Sequence, residues 1–326
     1  MAMGMAMAMA GRGSVVRDAS SWNEPLQGAS PTVALGKFDA LHRGHQKLVA
    51  TAANLKPSAT PYLISFDGMA EVLGWEPRLP LVAGCDRPRV LGSWEKACAG
   101  VVPRERGVPF SQVRHLSPEE FVGLLAEDLG AVGVVVGSNY RFGYKAAGTA
   151  ETLKVLGAAH GMKVEVVNLV ERTNQTGLGD TVSSSAVRGG LAAGDVGLVE
   201  ECMGRPYRLV GRADVGDDVA AGSVPVPVPV PMSRRWRLEA GGLMNQHPAA
   251  GSYEVRVGFV DEAVAGGPLD GFGQGCGGDV VFYPGRAVFD ARGSATVDVD
   301  DQGGAMAALV PGRDRTLCVL EFVRPV

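Results

Sequence analysis

Residues 32–55 read TVALGKFDALHRGHQKLVATAANL, and the fold turns on how they are divided. TVALG (32–36) is an apolar run that reads as a buried strand, and HQKLVATAANL (45–55) reads as a helix. Between them lies GKFDALHRGH (36–45), in which two histidines stand three apart around a glycine. A strand handed to a helix through so short a polar turn predicts the first step of a βαβ unit.

The alternation continues down the chain. PYLISF (61–66) reads as a strand and CDRPRVLGSWEKACAG (85–100) as helical. Ser117-Pro118-Glu119-Glu120 opens the next helix, with serine at the N-cap, proline at the first helical position and glutamate at the third, and Gly130 is its stop. VGVVVG (132–137) lacks polar alternation, as a strand covered on both faces does. ETLKVLGAAHG (151–161) is a helix and KVEVVNLV (163–170) a strand. The order predicts a Rossmann-like parallel sheet flanked by helices, over residues 26–207.

After Tyr207 the texture changes. VPVPVPVP (224–231) cannot donate a regular ladder and is expected to be extended and exposed. GSYEVRVGFV, GDVVFYP, ATVDVDD and TLCVLEFV are short, β-rich and separated by glycine-rich turns, which predicts a small antiparallel barrel-like domain over 208–326. AVRGGLAAGDVGLVEEC (186–202) reads as one helix. There are no internal repeats.

Bulk properties narrow the function classes. A net charge of −4 gives no basic field for a long nucleic acid, and no apolar run approaches the length of a membrane span. Five cysteines (85, 98, 202, 276, 318) without a C-x-x-C pair fit free thiols in a reducing compartment. The opening MAMGMAMAMAGRGS has Arg12 and Arg17 and no acid before Asp18, the pattern of a disordered leader or transit remnant, so residues 1–25 are set aside.

In an α/β sheet ligands bind at the carboxyl ends of the strands, where GKFDALHRGH sits. A helix N-terminus offers free N–H groups and partial positive charge to a phosphate, and Gly44 permits close approach. His42 and His45 share a face of that first turn and can donate to a phosphate gaining charge. VSSSAVR (182–188) starts a second helix. Serines there are ordinarily caps, but Arg188 one turn on makes a second anion cradle. Two cradles on one sheet suit a polyphosphate held at both ends.

GKFDALHRGH, SPEEF (117–121), VVVGSNYRFG (134–143), SSSAVR and the closing MGRPY (203–207) together resemble the FAD synthetases of the H-x-G-H nucleotidyltransferase superfamily. VALGKFDALH, GMAEVLGWEPR and CDRPRVL most resemble the plastid members of plants and algae, which implies a chloroplast stroma, with the cytoplasm as the alternative. The resemblance implies transfer of AMP from ATP to FMN, with Mg²⁺ bridging phosphate oxygens. It assigns Gly36, Lys37, Phe38, Asp39, His42, Gly44 and His45 to ATP, with Ser184, Ser185 and Arg188 on its β- and γ-phosphates. Asn139, Tyr140, Arg141 and Phe142 should meet the flavin or shape the site around it. His42, His45 and Arg188 are the catalytic set, with no general base and no metal-ligand cluster. Lys37 departs from the bacterial Asn, Ala40 from a Gly and Ser185 from a Thr. In bifunctional members the following barrel is a riboflavin kinase with a G-F-P-T-A-N motif. VPVPVPVPMSRRWRLEAGG stands in its place, so a barrel without kinase activity is expected. A binding relative without catalysis, or a nucleotidyltransferase with another acceptor, are the alternatives.

Overall fold

Every residue of β1 (Pro31–Leu35) is buried, as its unbroken apolar run requires. A computed structural model describes residues 22–172, 181–215, 232–261, 280–301 and 316–326. The N-terminal half then runs α1 (Arg43–Ala53), β2 (Thr60–Asp67), α2 (Met69–Leu73), α3 (Arg87–Ser93), β3 (Arg104–Pro109), α4 (Phe110–Val113), α5 (Pro118–Gly123) and β4 (Gly133–Gly137). It continues with the two-residue strands β5 (Arg141–Phe142) and β6 (Gly148–Thr149), then α6 (Ala150–Ala159), β7 (Lys163–Val167), α7 (Ser184–Ala193) and α8 (Val196–Met203).

The large sheet has the order β3-β2-β1-β4-β7 and is parallel throughout. Chain order reverses between β1 and β4, so a crevice opens at their carboxyl ends. The turn after β1 is GKFDALHRGH and the turn after β4 is GSNYRFG, so the switch point gathers both motifs on one sheet edge.

Six antiparallel strands follow: β8 (Arg208–Val215), β9 (Met232–Leu243), β10 (Gly251–Asp261), β11 (Phe282–Phe289), β12 (Ala295–Asp301) and β13 (Thr316–Pro325). They close into a barrel in the order β10-β11-β12-β9-β8-β13. One apolar cluster runs from Leu41, Val49 and Val187 through Tyr207 into Leu238, Tyr253 and Phe322, so sheet layer and barrel share a core. Fully buried Asn245 ties the junction, accepting from the Val210 amide at 2.9 Å and donating to Tyr207 Oη at 2.9 Å. A charge chain runs beside it: Arg208 reaches Asp86 at 3.7 Å and Glu321 at 2.9 Å, and Arg256 bonds the other Glu321 oxygen.

The capping box at Ser117 is present, with the Glu120 amide on Ser117 Oγ at 3.1 Å and the Ser117 amide on the Glu120 carboxylate at 2.7 Å. Four readings need correction. The helix drawn over 186–202 is two, because Gly194 takes φ +72 and Asp195 caps α8, accepting from the Leu198 amide at 2.9 Å. The strand drawn over 163–170 ends at Val167. The stretch 85–100 is a 3-10 turn, α3 and a second 3-10 turn, and α5 passes into a π-helical turn at Leu124–Asp128. RERGVP (104–109), which the sequence left unassigned, is strand β3, and its Glu105 and Arg106 are buried inside the fold. VPVPVPVP, residues 1–21, 173–180 and 266–278 lie outside the described residues. Cys85, Cys98, Cys202 and Cys318 are free thiols, and among the described residues no helix is long and apolar enough to cross a membrane.

Candidate active site

The chain leaves β1 at Leu35 and turns sharply back to enter α1. Leu41, wholly buried, sits at φ +46, a left-handed conformation that a leucine adopts only when its surroundings impose it. The surroundings are two half-buried arginines. Arg205 donates to Leu41 O at 2.7 Å, Ala40 O at 3.0 Å and Met203 O at 3.1 Å. Arg87 donates to Phe38 O at 2.9 Å while its fork grips Glu105 at 2.9 and 2.5 Å. Burial pulls the Arg205 pKa down to about 9. For Arg87, burial acts the same way, but the Glu105 carboxylate outweighs it and the pKa is raised.

His42 is the N-cap of α1, its Nδ1 accepting from the His45 amide at 3.2 Å. The two imidazoles stack with centroids 3.6 Å apart and planes 12° from parallel, and Phe38 tilts against His45 at 4.9 Å. Gly44 serves this pair directly, because a Cβ there would come within 3.1 Å of the His42 ring. Both rings are buried. Burial lowers the His42 pKa to about 4; burial first, then the nearby His42, Arg87 and Arg205, hold His45 well below the ordinary value. The pair is therefore neutral at pH 7. With Nδ1 used as an acceptor, His42 keeps its ring proton on Nε2, which makes that nitrogen a donor. His45 Nδ1 is buried without a partner among the described residues.

A pH dependence follows. Above pH 6.5 neither folded nor unfolded chain protonates His42. As the pH falls towards about 4 the unfolded chain takes up a proton that the folded chain refuses, so stability is lost, by roughly 3 kcal/mol at the end of that window. Urea unfolding at pH 7 and pH 4.5 should show a shallower loss for His42→Asn, which keeps a cap but does not titrate. Equal losses would remove His42 as the cause.

The SSSAVR motif arrives from across the sheet. Ser183 caps α7, accepting from the Ala186 amide at 3.1 Å. Ser184 and Ser185 are the first two helical residues, Ser185 exposed. An added Cβ on Gly44 would lie 4.0 Å from Val182 O, so the N-termini of α1 and α7 are neighbours. Arg188 donates through Nη2 to Asp39 Oδ2 at 2.7 Å and to Leu79 O at 3.1 Å, and through Nη1 to Gln246 Oε1. The other Asp39 oxygen accepts from the Leu81 amide at 3.1 Å. Gly36, Phe38, Asp39, His42, Gly44, His45, Ser184 and Arg188 thus gather at one crevice. Lys37 is exposed, its ammonium 5.2 Å from the centre of the Trp75 ring.

GSNYRFG lies at the end of the neighbouring strand. Asn139 and Arg141 are exposed, the latter donating to Ala146 O at 3.2 Å, and Tyr140 is half-buried. Phe142 is buried, 5.6 Å from the Phe121 ring and 6.1 Å from Tyr140. It shapes the wall rather than presenting a face. Gly143 at φ +73 sits so close to Pro118 that a Cβ would meet its nitrogen at 2.9 Å, which packs SPEEF directly against GSNYRFG.

Sequence reading missed Arg87, Arg205 and Gln246. The first two lie in CDRPRVL and MGRPY, whose Arg-Pro pairs were the available signal; nothing local marked Gln246.

Residues 26–186 match the family described as FAD synthetase. FAD synthetase 1, chloroplastic, of Arabidopsis thaliana is 43% identical over 246 residues, covering 70% of this chain and 65% of that protein. FAD synthetase 2, chloroplastic, of the same plant is 48% identical over 206 residues, covering 59% and 55%. The bifunctional riboflavin kinase/FMN adenylyltransferase of Pseudomonas fluorescens is 33% identical over 190 residues, covering 57% and 58%. The matched span is thus under two thirds of each relative's length. A crystal structure titled as a macrolide-efflux protein from Streptococcus pneumoniae shares the fold, with a TM-score of 0.65, 19% identity and coverage of 93% of this chain and 90% of that one. By the match to the family model, which takes in the stacked histidines and the serine-capped start of α7, and by these identities, residues 26–186 of the chain belong to the FAD synthetase family.

Proposed function

We propose that the chain is an FMN adenylyltransferase, transferring AMP from ATP to FMN with release of pyrophosphate. The observation that carries this reading is the 2.7 Å pair between Arg188 of SSSAVR and Asp39 of GKFDALHRGH, which joins two motifs distant in sequence into one anion-binding crevice. The FMN phosphate is already ionised at neutral pH and needs no general base, so the protein's work is positioning and charge stabilisation. His42 Nε2–H faces the α-phosphate, while Arg188, Ser184 and Ser185 hold the pyrophosphate end. The exposed Asn139 and Arg141 and the half-buried Tyr140 border the flavin, and Phe142 braces them from beneath. Among the described residues no three His, Cys, Asp or Glu are grouped to hold an ion. Asp39 is engaged by Arg188. Magnesium enters as part of the substrate Mg–ATP, on the phosphate oxygens. The names of the Arabidopsis relatives favour a plastid setting.

The barrel is read as lacking riboflavin kinase activity, because VPVPVPVPMSRRWRLEAGG replaces the G-F-P-T-A-N motif. The test is a chromatographic assay with Mg–ATP and either FMN or riboflavin. FAD from FMN and no FMN from riboflavin is the expected result. Product from riboflavin would restore the kinase, and no product from either would return the chain to a binding relative or another acceptor.

A further inference from the structure

The barrel reaches into the crevice through the turn between β9 and β10. There Gln246 is fixed on both backbone sides: its amide donates to Pro80 O at 3.0 Å and its carbonyl accepts from Tyr207 Oη at 2.5 Å. Its side-chain oxygen accepts a hydrogen bond from Nη1 of Arg188. Three residues on, the Ala249 amide donates to Leu191 O at 2.7 Å, near the other end of α7. Gly194, which ends that helix at φ +72, lies where a Cβ would stand 2.8 Å from Tyr253 Oη of β10. The barrel therefore fastens α7 along its length.

Both other partners of Arg188, Asp39 and Leu79 O, bind the same nitrogen, Nη2. Contacts at one nitrogen restrain only one end of the guanidinium and leave its other arm able to shift. A bond at the second arm of the fork fixes its plane. Building on the adenylyltransferase reading above, we propose that Gln246 is a positioning residue for that reaction: it sets the plane of Arg188 against the polyphosphate, so the barrel supplies part of the transferase site.

The test compares the full-length chain with Gln246→Met, Arg188→Ala and the double variant, all checked for unchanged thermal unfolding. Methionine keeps length and volume but accepts no bond from Nη1. Expected for Gln246→Met is a fall of about tenfold in kcat/KM for ATP, with inhibition by added pyrophosphate weakened to a similar degree and KM for FMN unmoved. In the Arg188→Ala background the same substitution should have no further effect. A structural role would instead lower the unfolding temperature, reduce kcat/KM for both substrates alike and persist without Arg188; that result, or no effect at all, overturns the proposal. Should the unaltered chain form no FAD, the activity reading fails separately, and calorimetric ATP binding by the same four proteins decides Gln246 on the same criteria.

Discussion

Alanine at position 42 is expected to slow FAD formation about 100- to 1000-fold, the effect of deleting one donor aimed at a charge that grows in the transition state. The reason is geometric. His42 Nδ1 is occupied by the His45 amide, the ring is held flat against its partner 3.6 Å away, and burial keeps it neutral, which leaves one donor with one direction. Alanine also removes the cap of α1, at a cost of about 1 kcal/mol. His42→Asn separates the two roles, since asparagine caps well but has no ring nitrogen at the Nε2 position. Its unfolding curve should match that of the unaltered protein while its turnover matches the alanine variant. Wild-type turnover in His42→Ala, measured with saturating FMN and Mg–ATP, would sink the assignment.

Arg205→Met is expected to be the most damaging change outside the crevice. Methionine fills the space but leaves the carbonyls of Ala40, Leu41 and Met203 without their donor. Buried acceptors stripped of partners cost about 1–3 kcal/mol each, partly recovered by relaxation, so a loss of roughly 2–4 kcal/mol is expected in urea unfolding. The same change frees Leu41 from φ +46, and His42 is the next residue. Turnover should therefore fall even in the fraction that stays folded, as seen by kcat corrected for folded protein. Arg205→Lys, with charge but no fork, should fall between. Unchanged stability and turnover in Arg205→Met would show that the turn holds itself.

The parts legible in the sequence were those written in local pattern. Unbroken apolar runs announced β1 and β4, Ser117 with Glu120 announced α5, and the two histidines marked the crevice. What escaped had its cause elsewhere in the chain. RERGVP went unassigned, since no apolar run or alternation marks it; the burial of Glu105 and Arg106 depends on Arg87 and on the carbonyls of Trp22 and Glu24. The break at Gly194 competes with a plausible helix and is decided by Asp195 and by the barrel's Tyr253. Arg188 was legible as an anion ligand, but its three partners come from three distant segments, and periodicity carries no record of them. Gly44 was read as room for phosphate; the nearest thing its hydrogen makes room for is the His42 ring.

The bond from Arg205 to Leu41 spans 164 residues. On the ribosome, the opening strand and helix emerge long before the arginine that holds the turn between them. Loop closure over such a distance comes late in folding. The half-made chain can build its sheet while the first turn is still free to relax, and Leu41 is locked into its left-handed conformation only once Arg205, just past the last helix, has been drawn in.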